Sequence, residues 1–168
     1  MLPMPGGLVV LTGQSAWQLT GSGSSFAGAQ PLTPSSQTAQ QQAYNGISPT
    51  VPPIQILDDI VYVQAHNSIY QNIAYTINSN IYTGGYLTLN SSHLFTGYTA
   101  VQSAWCREPY KVMWQPRNDG TMLSLTYLKT QEIAGWGRHD TEGLFKAVCS
   151  VTEPPVDALY MAVQRFPG

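Results

Sequence analysis

The stretch AVQSAWCREPYKVMWQPRNDGTMLSLTYLKTQEIAGWGRHD, residues 100–140, has the most regular pattern in the chain and decides the predicted fold. Within it, Asn118-Asp119-Gly120 predicts a tight hairpin turn, because Asp-Gly readily supplies the positive φ values that such turns need. Apolar and polar residues alternate on both sides of this turn, as they do in half-buried strands. The predicted strands are Ala100–Arg107, Lys111–Gln115, Met122–Leu128 and Ile133–Arg138. Four antiparallel strands in about 40 residues match the size of one β-propeller blade.

The same plan recurs elsewhere in the chain. The segments GGLVVLTGQSAWQLTG, DDIVYVQAHNSIYQNIAY and DGTMLSLTYLKTQEIAGW each combine a Gly/Asp turn, an alternating strand, a polar turn and a second strand. Their unequal spacing favours blades with insertions and is also compatible with a plain β-sandwich. We therefore predict an all-β fold of antiparallel four-stranded units, either propeller-like blades or a β-sandwich. One short helix is expected, with Asn90 or Ser91 as its cap and with Leu94 and Phe95 docked in the core.

We expect a single all-β region over residues 1–168, a fragment of a longer protein. Its parts are a first hairpin over 1–20, a polar surface excursion over 21–53, a second unit over 54–99, a third unit over 100–143 as the best-defined blade, and the start of a further unit over 144–168. The excursion should contain one edge strand, with Tyr44 as an anchor. Asp58-Asp59 and His66-Asn67 are predicted turns in the second unit.

Composition narrows the classes of function. Of the 168 residues, 43% are hydrophobic and only 10% are charged, with a net charge of -2. Ordinary domains are about a quarter charged, so this chain either uses Ser, Thr, Asn and Gln on its solvated face or covers that face with neighbouring subunits, as an assembly component would. There is no basic stripe to neutralise phosphates, which disfavours a dedicated nucleic-acid binder. No signal peptide or membrane-spanning run is predicted.

Cys106 and Cys149 lie in apolar, strand-like runs, which favours two buried free thiols, with a disulfide as the alternative. Neither has the spacing of a metal ligand. Arg138, His139 and Asp140 look like catalytic residues, but adjacent strand residues point to opposite faces. Arg138 and Asp140 should therefore share a face as an ion pair and turn cap that close the hairpin, with His139 opposed to them.

Two further patterns resemble catalytic groups without their usual context. Ser91-Ser92-His93 has no nucleophile elbow, and Asp58-Asp59 has no third ligand beside it. We predict no catalytic, metal-binding or cofactor-binding residue and no cofactor. Nine acidic residues could still converge in space, as in a hydrolase, and their placement would decide that alternative.

The aromatic residues admit three interpretations. Trp17, Trp105, Trp114 and Trp136, with ten tyrosines, favour core packing in strands. A sugar-stacking platform and a subunit interface are the alternatives. Structural roles are predicted for a set of residues in the third unit, comprising Trp105, Trp114, Asp119, Gly120, Trp136, Arg138, His139 and Asp140.

The sequence from Pro52 to Arg165 resembles a family of bacteriophage and prophage structural proteins. The resemblance rests on PPIQILDDIVYVQ, YLTLNSSHLF, the long block from Trp105 to Phe145, and DALYMAVQR; LVVLTGQSAWQLTG also fits the block that usually precedes them. Residues 21–50 match only loosely, and the chain is shorter than its relatives. The family is similar to tail nozzle or head-completion proteins of short-tailed phages.

This resemblance implies a virion building block with a mechanical role in a tail or connector. It implies other virion proteins as partners, a homo-oligomeric ring, and assembly in the bacterial cytoplasm. It implies no catalytic residue, no membrane and no sequence-specific nucleic-acid binding. The alternative function is a glycan-binding β-module on a receptor-binding protein, which would need exposed Trp and Tyr side chains on one surface.

Overall fold

The computed structural model describes residues 1–4, 7–21, 33–76 and 81–165, without the side chains of residues 75, 76 and 81–83. Residues 22–32 of the predicted excursion lie outside this part. The regular structure of the described chain is mainly antiparallel β-strands, as predicted, with short 3₁₀ helices at Leu89–Leu94 and Lys129–Gln131.

The strands form four sheets. The first contains β1 (Leu2–Met4), β2 (Gly7–Leu11), β3 (Ala16–Gly21) and β4 (Gln37–Ala43). The second contains β5 (Ile54–Ile56), β6 (Asp59–Val63), β7 (Tyr70–Thr76) and β8 (Ile81–Tyr86). The third contains β9 (Ala104–Cys106), β10 (Val112–Pro116), β11 (Met122–Leu128) and β12 (Ile133–His139). The fourth contains β13 (Leu144–Glu153) and β14 (Val156–Gln164).

Within each sheet the strands follow one another in chain order, and each pairs antiparallel with the next. This confirms the predicted hairpins β2–β3 and β6–β7 and the polar edge strand, which is β4. The Asn118-Asp119-Gly120 turn is confirmed, with a positive φ at Gly120. Sequential order is expected of a propeller blade and also occurs in simple meanders, so the propeller remains a prediction.

Three apolar clusters join consecutive sheets. One packs Met4, Val9 and Ala16 of the first sheet against Ile60, Tyr62 and Ile73 of the second. The largest joins the second sheet to the third, and a smaller one joins the third to the fourth. Every residue of β6 is buried, because its two faces serve different clusters. The sheets are therefore stacked in chain order, each on the next.

The third sheet departs from its predicted strand bounds at one end. The strand predicted at Ala100–Arg107 is shorter, because Ala100 makes an isolated bridge to Arg117 and donates its N–H to Asn67 O at 2.7 Å. That bond ties the start of the third unit to the β6–β7 turn. The predicted repeat is also offset in this sheet. Its segment DGTMLSLTYLKTQEIAGW falls on β11 and β12, the last two strands, whereas the two earlier repeat segments fall on the middle strands of their sheets.

Two predictions about local anchors were wrong. Asn90 and Ser91, the predicted caps, both lie inside the 3₁₀ helix, which Thr88 precedes without a side-chain cap, although Leu94 and Phe95 do pack into the core as predicted. Tyr44, directly after the end of β4, is 85% exposed and belongs to none of the apolar clusters of the described residues, so it is not the predicted anchor.

Two further predictions need correction. Both cysteines are free, and Cys106 is buried, but Cys149 is exposed. Cys149 pairs with Tyr160 on the face of the fourth sheet that the third sheet does not cover. The turn before β6 consists of Leu57 and Asp58. Asp59 is instead the first residue of β6 and is buried.

Candidate functional site

Strand alternation separates the side chains at the end of β12, as predicted. Arg138 Nη2 lies 3.1 Å from Asp140 Oδ1 in an exposed ion pair. His139 lies on the other face, where its Nε2 is 2.8 Å from Ser124 Oγ and its ring centroid is 5.1 Å from that of Trp114. Asp140 is engaged by Arg138, so it does not orient the imidazole as the aspartate of a catalytic triad does. The predicted ion pair is therefore confirmed.

The contact between Ser124 and His139 was not predicted. Ser124 pairs across the sheet with Gly137, two residues before His139 on the same face, so the strand register brings them together. Only a correct β11–β12 register could have revealed this pair from the sequence. Ser92 and His93, which are adjacent in sequence, lie in the 3₁₀ helix Leu89–Leu94. There, Ser92 O accepts a hydrogen bond from Thr96 Oγ1 at 2.9 Å.

A cluster around Asp59 joins the second and third sheets. Asp59 is 1% exposed, and its carboxylate accepts hydrogen bonds from the Tyr127 hydroxyl and the Lys129 ammonium. Asn72 Nδ2 lies 3.4 Å from Asp59 Oδ2 and donates to Tyr127 Oη at 3.1 Å. A buried carboxylate is tolerated only with such partners, because desolvation would otherwise outweigh any gain.

The electrostatics of this cluster keep Tyr127 protonated. Burial raises the pKa of Tyr127, and the hydrogen bond to the Asp59 carboxylate and its charge raise the pKa further. Tyr127 is thus a fixed hydrogen-bond donor at neutral pH. Because the Tyr127 hydroxyl donates its proton to the Asp59 carboxylate, the cluster links the second and third sheets; we call such a link a joint.

A third ion pair, between Arg117 and Asp119, shapes the predicted hairpin turn. Arg117 is buried, and its Nε donates to Asp119 Oδ1 at 3.0 Å while its Cζ lies 3.7 Å from the centre of the Tyr98 ring. Burial alone would raise the pKa of Asp119, but hydrogen bonds from Arg117 and Thr121 outweigh it and lower the pKa. The predicted structural role of Asp119 therefore has a geometric basis.

Position 120 of the turn requires glycine. Its φ is +83°, and a Cβ there would lie 2.5 Å from Leu144 Cδ2. Its carbonyl accepts the N–H of Phe145 at 2.9 Å, which docks the turn on β13. Both the left-handed conformation and the close approach require glycine here.

Asp157 links the fourth sheet to the end of β9 through hydrogen bonds. Its Oδ2 accepts the backbone N–H groups of Arg107 and Glu108, at 2.5 Å and 3.1 Å, and its Oδ1 accepts from Thr152 at 2.8 Å. The backbone bond to Glu108, the hydroxyl of Thr152 and the backbone of Arg107 lower the pKa of Asp157. This carboxylate is therefore another joint.

The tryptophans are half-buried at separate places. Trp136 donates Nε1–H to Leu87 O at 2.8 Å, and its ring lies 4.7 Å from Phe95 and 5.3 Å from Tyr70 between ring centroids. Trp105 packs against the same cluster, and Trp114 packs between the third and fourth sheets. Trp17 donates to Ser15 Oγ at 2.6 Å in the first sheet. The contacts of Trp105, Trp114 and Trp136 agree with the predicted core packing, whereas Trp17 belongs to none of the apolar clusters of the described residues.

Among the described residues, no group of three or more His, Cys, Asp and Glu side chains could hold a metal ion. No helix within the described ranges is long and apolar enough to cross a membrane. The sequence matches no protein-family model, and a search of curated proteins found no match.

Proposed function

We propose that the protein is a structural component of a phage virion, a nozzle-like tail or connector subunit with a mechanical and assembly role. The quoted blocks that resemble phage structural proteins support this role. So does the use of Asp59, Asp119 and Asp157 in separate joints between sheets and turns. Its partners are other virion proteins and further copies in a ring, and it resides in the virion after assembly in the bacterial cytoplasm.

The open edge of β14 is the observation that carries the proposal. Asp157 donates its N–H to Glu108 O at 3.1 Å, on the side of β14 that faces away from β13. Backbone groups alternate along a strand, so the N–H groups of Leu159, Met161 and Val163 face the same side. Within the described chain, no strand pairs with this side. The edge can therefore accept a strand from a neighbouring copy.

The sequence of this edge is not protected against such pairing. Exposed edge strands are usually short, charged or interrupted by proline. The β4 edge is polar, and β12 contains Arg138 and His139. By contrast, residues 158–164, ALYMAVQ, have no charge and no proline, and the Tyr160 and Met161 side chains are about half exposed. An apolar, strongly β-forming edge is suited to permanent burial in an assembly.

Mass spectrometry of virions purified from a phage that encodes this protein tests the role directly. The wild-type protein should be present in every preparation of purified virions. Met161→Lys should be depleted from virions, because a charge would be buried at the strand junction. Val101→Lys is the matched control, since Val101 is similarly exposed but outside any strand. A protein absent from purified virions would refute the proposal.

The alternative of a glycan platform built from tryptophans has no support in their placement. Trp105 and Trp136 pack on one core cluster and Trp114 on another, whereas stacking on a sugar needs exposed rings on a common surface. The hydrolase alternative needs two or three carboxylates in one cleft. Asp59, Asp119 and Asp157 instead each bond to separate partners.

A further inference from the structure

A cavity of about 340 Å³ lies where the end of β4 meets β7 and β8. Its lining includes Gln42, Tyr44, Asn45, Gln71, Ile73 and Gly84, and we call it the amide cavity. None of these lining residues is charged. Its volume falls within the range of roughly 300 to 1,000 Å³ that is usual for small-molecule sites.

Gln71 gives the amide cavity a preorganised hydrogen-bond donor. Its Oε1 accepts three hydrogen bonds, from Tyr62 Oη at 3.0 Å, Gln64 Nε2 at 2.9 Å and Asn45 Nδ2 at 3.1 Å. These donors fix the amide with its oxygen toward the network and its nitrogen away from it. Gln71 is 7% exposed, yet its Nε2 has no acceptor among the described residues.

Gly84 provides the room in front of this donor. A Cβ at Gly84 would lie 2.8 Å from Gln71 Nε2, so any other residue would occupy the space that the nitrogen faces. Gly84 lies opposite Ile73 across the β7–β8 pair, which adds an apolar patch to the floor. The floor therefore combines an apolar surface with one donor that has no acceptor among the described residues.

The rim of the amide cavity is aromatic and uncharged. Tyr44 is 85% exposed and lies between Ala43 and Asn45 in the lining. Tyr86, which pairs with Gln71 across β7 and β8, is also exposed but lies outside this lining. Aromatic faces cover the C–H surfaces of a sugar ring, and amides both donate to and accept from hydroxyl groups. An ionic ligand would find no opposite charge in this lining.

We infer that the amide cavity binds a neutral, hydroxyl-rich ring, such as one hexose unit of a glycan. Gln71 Nε2 would donate to a hydroxyl oxygen, and Tyr44 would cover one face of the ring. The inference does not depend on the proposed virion role, because it uses only contacts within and between the first and second sheets. It also differs from a tryptophan platform, since all four tryptophans lie elsewhere.

Saturation-transfer NMR and calorimetry of the intact protein test this inference. The probes are glucose, galactose and N-acetylglucosamine, with glucuronate and glucosamine as charged counterparts and glycerol as a small polyol. At least one neutral hexose should bind more tightly than its charged counterpart and than glycerol. No binding by any neutral hexose, or a preference for a charged sugar or for glycerol, would overturn the inference.

Substitutions then locate the site. Tyr44→Ala should weaken hexose binding by about fivefold or more through loss of ring contact. Tyr110→Ala is its matched control, because Tyr110 is 77% exposed and outside the cavity lining. Equal loss in both variants would overturn the location.

A second variant fills the floor of the cavity without touching the rim. Gly84→Ala should abolish hexose binding, whereas Gly135→Ala should not, because a Cβ at Gly135 meets nothing within 4 Å. Since the new Cβ would also lie 2.8 Å from Asn72 O, the melting temperature of each variant is measured alongside binding. Full hexose binding by a folded Gly84→Ala protein would refute the proposed site.

Discussion

Lys129 Nζ contacts Asp59 Oδ1 across the boundary between the second and third sheets, although the two residues are 70 positions apart in sequence. The Asp59 side chain is 1% exposed and the Lys129 side chain is 47% exposed, so a surface cation reaches a buried anion. Removing one partner of a buried pair leaves an uncompensated charge, which is more costly than the pair is stabilising. The packing of these two sheets therefore depends on polar partners as well as on the core.

Tyr127→Phe should destabilise the protein by about 1.5 to 3 kcal/mol, because Asp59 then loses a hydrogen bond to a charged, buried oxygen. The free energy of unfolding from urea titration at neutral pH measures this loss. Tyr110→Phe removes an exposed hydroxyl and should change the free energy by less than about 0.5 kcal/mol. Equal stability of the Tyr127→Phe and unchanged proteins would contradict the role of the cluster as a joint.

The sequence alone predicted the elements that depend on local signals. Met122–Leu128 has the predicted bounds, since its alternation and the Asp-Gly turn before it are contained in a few residues. Asp59 was misassigned because two consecutive aspartates favour a turn, whereas Leu57 takes the turn with a φ of +55°. Neither Lys129 nor Tyr127 is near Asp59 in sequence, so no local pattern could show the joint.

The amide cavity was missed for the same reason. Tyr62 and Gln71 pair across the β6–β7 hairpin, but Asn45 reaches Gln71 only when the first sheet packs on the second. A single glutamine in an alternating strand indicates a polar face and nothing about its partners. The exposure of Tyr44, expected to be an anchor, likewise depends on where the chain leaves the sheet after β4.

Stability should fall at alkaline pH through Tyr62. Burial, and secondarily the charge of Tyr86, raises the pKa of Tyr62 from 10.0 to about 12. The folded state therefore keeps a proton that the unfolded chain loses above pH 10.0. The stability from this group is fully present below that pH and is lost as the pH rises toward about 12.

Urea titrations at a series of pH values from neutral to about 11 measure this loss. Tyr62→Phe removes the titrating group, so its free energy of unfolding should decline less steeply with pH. Some decline should remain, because burial also raises the pKa of Tyr70 and Tyr127. An identical slope in Tyr62→Phe would contradict the assignment.

Trp136 and His139 should differ sharply on truncation, although both lie on β12. Trp136→Ala removes ring contacts with Phe95 and Tyr70 and the bond to Leu87 O, which should cost about 3 to 5 kcal/mol. His139→Ala removes one exposed hydrogen bond to Ser124 and the ring contact with Trp114, and it should cost about 0.5 to 1.5 kcal/mol. Thermal unfolding followed by circular dichroism compares the two. A larger loss in His139→Ala would show that its contact with Ser124 has more than a local structural role.

Gln115→Met should stabilise the protein. Gln115 is fully buried in β10, and neither its Nε2 nor its Oε1 has a hydrogen-bond partner among the described residues. An unpaired buried amide retains its desolvation cost, so methionine of similar length should raise the free energy of unfolding by about 1 kcal/mol. Gln102→Met is the matched control, because Gln102 Oε1 accepts the N–H of Val148 at 3.1 Å.

Gln102→Met leaves the Val148 N–H unpaired and should cost about 1 to 3 kcal/mol of stability. Urea midpoints at unchanged slope separate the two effects, since an altered slope would indicate a change in the unfolded state or in cooperativity. Opposite signs at residues 115 and 102 are expected, because one amide lacks a partner and the other has one. A loss of stability in Gln115→Met would show that its amide groups make stabilising hydrogen bonds.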